Sequence, residues 1–344
     1  MPRLRRAAGS IDARAVFAPL TEYRRLALAV SGGADSLALM LLAHRFAAET
    51  GHGSDRFVVY SVDHGLRPQA ATEAAYAVRE AQRLGFAARV LRWDGEKPAT
   101  GVQQAARLAR YRLLAAAMAE DGAEALLTAH HLGDQAETVL MRLAHGSGIE
   151  GLRGMDYCSE IGDLTIVRPL LGVDPADLRQ VVEDAGLAAV LDPSNSDVEY
   201  ERVRWRQMMP QLAALGLDAR RLAKFADRMR DADRALLNMS SQAFAQVAVS
   251  ADGTQAVIER ALLWQLPRAV AVRLVARTLE AVGGGTKPHA LAAVEALTDR
   301  LIREPVRTTL HGCIVRSGRV SIRISKEPGR AAKVRKRSEE PSVS

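Results

Sequence analysis

Between about residues 26 and 193, short apolar runs alternate with longer segments whose apolar positions recur at helical spacing. The runs at 26–30, 57–62, 87–91, 125–129 and 165–167 predict strands, and the stretches at 36–50, 72–84, 103–120 and 136–144 predict amphipathic helices between them. Strand and helix in alternation require right-handed crossovers. The fold class is therefore α/β: a parallel five-stranded sheet with helices on both faces, followed by a smaller α+β domain. In such sheets ligands bind beyond the carboxyl ends of the strands, so chemistry belongs just after each apolar run.

Past Pro210 the pattern changes. Residues 217–249 carry apolar positions at helical spacing and predict one long or broken helix. Residues 260–282 and 288–303 predict two more, separated by Gly283-Gly284-Gly285. Runs at 308–315 and 319–324 flank Ser317-Gly318, a hairpin signature. The expected organisation is an N-terminal extension (1–23), a catalytic domain (24–215), a helical linker (216–250), a C-terminal α+β domain (251–327) and a charged, Ser-rich tail (328–344) expected to be disordered.

Composition narrows the class. Of 344 residues 48% are hydrophobic, enough for a sizeable core, but only 4% are aromatic, so Ala, Leu and Val must build it. The net charge of +7 suits a polyanionic partner without proving one. The two cysteines, Cys158 and Cys313, lie far apart and form neither a disulfide framework nor a zinc-ligand spacing. No apolar run has the length of a membrane span, and the basic start Met1-Pro2-Arg3 lacks the apolar segment of a signal peptide, so a cytoplasmic protein without membrane attachment is expected.

The first strand runs into Ser31-Gly32-Gly33-Ala34-Asp35-Ser36 and then directly into a helix. Adjacent glycines allow a sharp turn that aims successive N–H groups at one point, and a helix N-terminus behind them adds partial positive charge. Ser31 and Ser36 add hydroxyls. Asp35 beside a phosphate implies an intervening Mg2+. The loop is neither a Walker loop nor a dinucleotide fingerprint.

It matches the SGGxDS loop of the N-type ATP pyrophosphatases, the PP-loop superfamily, in which the loop holds the pyrophosphate end of ATP. Further runs resemble one family among them, the tRNA(Ile)-lysidine synthetases: Val62-Asp63-His64-Gly65-Leu66-Arg67; Thr128-Ala129-His130-His131-Leu132-Gly133-Asp134-Gln135-Ala136-Glu137-Thr138; Gly146 to Met155; Arg168-Pro169-Leu170-Leu171; and Asp192-Pro193-Ser194-Asn195. The resemblance covers residues 24–210 strongly and the rest weakly. One position departs from it, since Gly133 stands where the family usually has an acid.

The resemblance implies adenylation of the C2 oxygen of the wobble cytidine in the CAU anticodon of tRNA(Ile), followed by displacement of AMP by free L-lysine. ATP and Mg2+ are the implied cofactors. Ser31, Gly32, Gly33, Ala34, Asp35, Ser36, Asp63, His64 and His130 would bind ATP, with Asp35 and Asp134 holding Mg2+. Asp35, Asp134, Glu137 and Arg107 are the catalytic candidates; Asp134, Glu137 or a histidine would be the general base. Arg107 and Arg110 share a helix face and would clamp ATP phosphate or RNA, Arg107 being the expected contact. His131, Arg110, Asp192, Asn195, Arg202, Arg204 and Arg206 would meet tRNA or lysine, with Asp192, Asn195 and Glu137 the lysine candidates. No stable protein partner is expected, and a homodimer stays open. A thiolase of the same superfamily and a non-catalytic RNA-binding protein on the same scaffold are the alternatives. Paired cysteines would favour the first, and the intact glycine loop argues against the second.

Overall fold

Leu26, Leu28 and Val30 are buried on one face of the first strand, and Ala27 and Ala29 on the other. A strand covered on both sides reads as an unbroken apolar run. The computed structural model describes residues 11–51, 53–95, 97–98, 100–191, 197–284 and 291–328. A short helix, α1 (Ala13–Phe17), precedes β1 (Leu26–Ala29), α2 (Ala34–Thr50), β2 (Phe57–Asp63), α3 (Ala70–Arg83) and β3 (Ala87–Arg92). Then follow α4 (Val102–Asp121), β4 (Ala125–Leu127), α5 (Leu132–Ala144), α6 (Ile149–Leu152), β5 (Cys158–Ile161), β6 (Leu164–Val167) and α7 (Pro175–Asp184). Helices α8 (Glu201–Ala214) and α9 (Ala219–Phe244) come next. Two compact units divide between Arg230 and Asp231, inside α9.

In the first unit the strand order is β3-β2-β1-β4-β6-β5. The five expected strands are parallel, and β5, which the apolar pattern did not announce, adds an antiparallel edge to β6. Side chains of α1, α2, α3 and α7 pack on one face through Phe17, Leu37, Ala77 and Leu178. Helix α4 covers the other through Leu114, Ala117 and Met118. The chain leaves β1 toward β2, whereas it leaves β4 toward β6 on the opposite side. The loops after β1 and β4 therefore diverge, and the crevice between them is the switch point where ligands bind in open α/β sheets.

The second unit holds β7 (Ala248–Val249), β8 (Gln255–Glu259), α10 (Arg260–Gln265), α11 (Arg268–Gly283), α12 (Leu291–Arg303), β9 (Arg307–Leu310), β10 (Cys313–Ser317) and β11 (Ser321–Lys326). Its sheet is antiparallel, in the order β7-β8-β11-β10-β9. Ala256, Ile258, Cys313, Val315, Ile322 and Ile324 point inward onto Leu274, Val275 and Leu279 of α11 and Leu297 and Leu301 of α12. Two expectations are corrected here. Residues 260–282 form two helices because Pro267 enters as the N-cap of α11. Residues 308–315 form two strands because His311 (φ 52°) and Gly312 (φ 69°) both take positive φ, the geometry of a tight hairpin turn. Among the described residues no helix is long and apolar enough to cross a membrane.

Candidate active site

The loop after β1 is locked by its own backbone and one hydroxyl. Gly32 has φ +87°, and a Cβ there would lie 3.0 Å from Val190 Cγ2. The Val190 N–H donates to the Gly32 carbonyl at 2.9 Å. Gly33 is extended and serves as N-cap of α2 without a capping side chain. Ser36 Oγ accepts from the Ser31 N–H at 3.1 Å and donates to the Gly33 carbonyl at 2.9 Å, so this hydroxyl holds the loop shut. Ser31, exposed, keeps its Oγ 3.3 Å from that of Ser36. First-turn N–H groups of a helix have no intrahelical acceptor, and those of α2 have no side-chain cap, which leaves them to an anion.

Across the crevice, β4 ends and Thr128 to His131 lead into α5. His131 is the N-cap. Its Nδ1 accepts the Gly133 and Asp134 N–H groups at 3.0 and 3.3 Å, and its own N–H donates to Asp134 Oδ2 at 3.0 Å. With Nδ1 accepting, the ring proton sits on Nε2, which lies 3.5 Å from Asp35 Oδ2 and 3.6 Å from Asp134 Oδ2. Asp35 from the first loop and Asp134 from the second thus meet at one imidazole edge. Burial opposes protonation of His131, but the Asp35 hydrogen bond and the charges of Asp134, Asp35 and Glu137 outweigh it and raise its pKa. A second proton would have to displace the two N–H donors at Nδ1, so the helix cap and the surrounding charge pull in opposite directions.

Gly133 explains how the ring fits. A Cβ at position 133 would approach His131 Cε1 to 2.9 Å and Nδ1 to 3.1 Å. An acid here, as the resemblance leads one to expect, would require the imidazole to shift from this position under the helix end.

One turn further, Glu137 is buried and held from both sides. Arg206 Nε donates to Oε1 at 2.7 Å and Nη2 to Oε2 at 3.2 Å, while Arg202 Nε stands 3.5 Å from Oε2 and its Nη2 donates to Thr138 Oγ1 at 3.1 Å. Arg206 Nη2 is also 3.6 Å from Asp134 Oδ1. Burial pushes the Glu137 carboxyl up and Arg206 pulls it back; the hydrogen bond to Glu137 raises Arg206 in turn. Both oxygens are engaged, so Glu137 is placed to orient Arg206 and not as the free base the sequence allowed. Arg202 and Arg206 share the face of α8 toward α5. Arg204 turns away and donates to the Val198 and Glu199 carbonyls.

His130 Nδ1 lies 2.9 Å from Thr128 Oγ1. Burial, with Arg168, Arg202 and Arg110 nearby, pushes its pKa down to about 4 against the pull of Asp134, so the ring is neutral. Asp63, expected on ATP, is buried and committed to its turn: Oδ1 accepts the Gly65 N–H at 2.9 Å, and Oδ2 is 3.5 Å from Arg92 Nε. His64 stands edge-on to Trp93, and its buried Nδ1 has no hydrogen-bond partner among the described residues. Burial and the Arg110 charge lower its pKa. The two arginines of α4 differ in setting. Arg107 is exposed over the Tyr111 ring at 5.0 Å, whereas partly buried Arg110 is the one whose charge reaches His64 and His130.

Arg168 belongs to this neighbourhood and was not singled out, although it opens the Arg168-Pro169-Leu170-Leu171 run. It is buried, donates to the Asp156 carbonyl at 2.8 Å and Ser159 Oγ at 2.9 Å, and depresses His130. Asp174, N-cap of α7, was also missed, and its Asp-Pro pair was the available signal. With Arg179 and Arg220 it walls a cavity of about 580 Å³ that opens onto Asp35, His131, Gly133, Glu137 and Arg206. Asp192 and Asn195 lie outside the described residues.

No group of three metal-ligating side chains occurs among the described residues. Two carboxylates facing one point fit Mg2+, which binds through one or two carboxylates and completes its shell with phosphate and water.

Residues 9–212 match the family described as a PP-loop domain. A tRNA(Ile)-lysidine synthase of Bradyrhizobium sp. (strain BTAi1) is 42% identical over 340 residues, covering 93% of this chain and 94% of that one. One from Rhodopseudomonas palustris is 46% identical over 303 residues, covering 88% and 87%. Among solved structures, the U34-tRNA thiolase NcsA of Methanococcus maripaludis superposes with a TM-score of 0.53 over 63% of this chain and 77% of that one, at 15% identity, a likeness of fold alone.

Proposed function

The chain belongs to the tRNA(Ile)-lysidine synthase family, and from that premise we propose that it joins L-lysine to C2 of the wobble cytidine in the CAU anticodon of tRNA(Ile), converting ATP to AMP and pyrophosphate. The observation that carries this reading is the meeting of Asp35 and Asp134 at His131 Nε2, beside an open anion-binding helix end and a polar cavity.

The loop residues divide the work. The first-turn N–H groups of α2, with Ser31, hold the outer phosphates, and Gly32 lets the backbone approach them. Asp35 and Asp134 would hold Mg2+, which when bound offsets charge on the departing pyrophosphate. His131 keeps Asp35 and Asp134 turned toward one point. The cytosine oxygen is a poor leaving group and AMP a good one, which is why adenylation precedes transfer. Lysine must then lose a proton to attack. Of the candidate bases Glu137 is the one held on both oxygens by Arg206, which leaves Asp134 or a histidine to receive that proton. The catalytic domain of residues 24–215 performs the chemistry in the cytoplasm, and the C-terminal domain of residues 251–327 grips the tRNA body.

The test is transfer of labelled lysine to unmodified tRNA(Ile), omitting ATP, lysine and tRNA in turn, with tRNA(Met) as control. Label should reach tRNA(Ile) alone and only with ATP. Absence of transfer from the complete mixture overturns the reading. A sulfur-transfer reading gains nothing from the cysteines, since Cys313 is buried and neither belongs to a CxxC pair.

A further inference from the structure

Three arginines stand side by side on the outer sheet face of the second unit. In the β9–β10 register Arg307 is directly opposite Arg316, and in the β10–β11 register Arg316 is directly opposite Arg323. All three are exposed. The opposite face is the one packed on α11 and α12. Like charges directly opposite one another destabilise a sheet, and acidic or Thr partners are the ordinary remedy. No such remedy is present: among the described residues no carboxylate is within ion-pair distance of Arg307, Arg316 or Arg323, although fifteen other arginines form such pairs, as Arg268 does with Asp299 and Arg300 with Glu304. The acid on the same face, Glu259, is opposite Ser321, two residues along the strand from Arg323. Thr309, Ile314 and Ser325 complete the neighbouring row.

We propose that the Arg307–Arg316–Arg323 row is a phosphodiester-binding rung that holds successive backbone phosphates of the tRNA. Adjacent strands are about 4.8 Å apart, so the three guanidinium groups are offered at intervals that flexible arginine side chains can adjust to neighbouring phosphates of one strand. Such contacts fix position and carry no base information, so the rung strengthens tRNA binding in general and leaves the choice of anticodon to the first unit. This rests on the reading of tRNA as substrate.

The experiment compares the full-length protein with a triple variant, Arg307→Gln, Arg316→Gln and Arg323→Gln, and with a control triple variant, Arg14→Gln, Arg83→Gln and Arg300→Gln, which removes three exposed charges elsewhere. Affinity for unmodified tRNA(Ile) is measured across a salt series. Loss of three phosphate contacts should lower the slope of log K against log salt by about 2 to 3, with a matching rise in KM for tRNA, and the control should move it far less. An unchanged slope in the rung variant, or an equal change in the control, overturns the proposal. So does salt-dependent capture of phosphatidylserine vesicles through the rung with tRNA binding intact. If the unaltered protein fails to bind tRNA at any salt, it is the substrate reading that fails. A single Arg316→Thr variant guards against misfolding: relief of repulsion should leave its Tm equal or higher while tRNA binding weakens. A lower Tm accompanying the weaker binding would mean that Arg316 serves the fold, against the proposal.

Discussion

The imidazole of His131 occupies the space that a β-carbon at Gly133 would need, 2.9 Å from its Cε1. The smallest residue in α5 therefore bears on where a side chain that reaches both loops can sit.

Gly133→Ala should consequently displace His131, and with it the alignment of Asp35 and Asp134. Single-turnover lysine transfer is expected to fall on the order of 10²-fold, the scale of ångström-level misplacement. His131→Asn, whose amide can still cap α5 but cannot reach Asp35, should fold normally and show a similar loss. Wild-type rates in both variants would refute the bridging role.

Arg206→Ala removes the main partner of a carboxylate whose side chain is 3% exposed. A cost of about 3 kcal/mol is expected, the low end for an uncompensated buried charge, because Arg202 remains 3.5 Å away. The pH dependence has a definite sign. Burial raises the folded-state pKa of Glu137 above its ordinary 4.5, and removing Arg206 raises it further. The folded state then binds the proton more tightly than the unfolded one. Its contribution is present below the ordinary pKa and is lost as pH rises through the folded value. Urea midpoints of variant and parent should converge on acidification toward about pH 4.5 and separate toward neutrality; constant separation would contradict this.

Gly32→Ala meets two obstacles, a positive φ and Val190 Cγ2 at 3.0 Å. Roughly 1–2 kcal/mol of stability should be lost to the backbone alone, together with a marked rise in KM for ATP. Gly33→Ala is the informative comparison, since Gly33 is extended and its nearest neighbour would be Ser31 Oγ at 3.7 Å. It should be close to neutral for stability, as chemical denaturation of the two variants would show.

Cys158 is exposed and Cys313 buried, with burial raising the Cys313 thiol. One thiol per chain should react promptly with a disulfide reagent and the second only as the C-terminal unit opens. Two prompt thiols would show that unit to be loosely packed.

The sheet was legible to the degree that its strands are buried. Leu26–Ala29 and Ala125–Leu127 are covered on both faces and leave apolar runs, whereas Cys158–Ile161, at an edge with no fully buried position, leaves none. The turn at His311-Gly312 went unread because a histidine at positive φ carries no strong signal. The glycine loop and the His-His run were legible as motifs. Their internal bonding was not, since the engagement of Glu137 depends on Arg206, 69 residues later, and the role of Gly133 depends on the shape of its neighbour's ring.

Strands β1 and β4 are hydrogen-bonded neighbours, Leu28 paired with Leu127. The loops that follow them inherit their separation from that ladder, as marks on a ruler. Phosphate cradle and acid pair are thus mounted on one stiff plate, and no hinge has to swing for them to meet. A structure of the protein trapped without RNA should then show the two loops already at the spacing they keep with RNA bound.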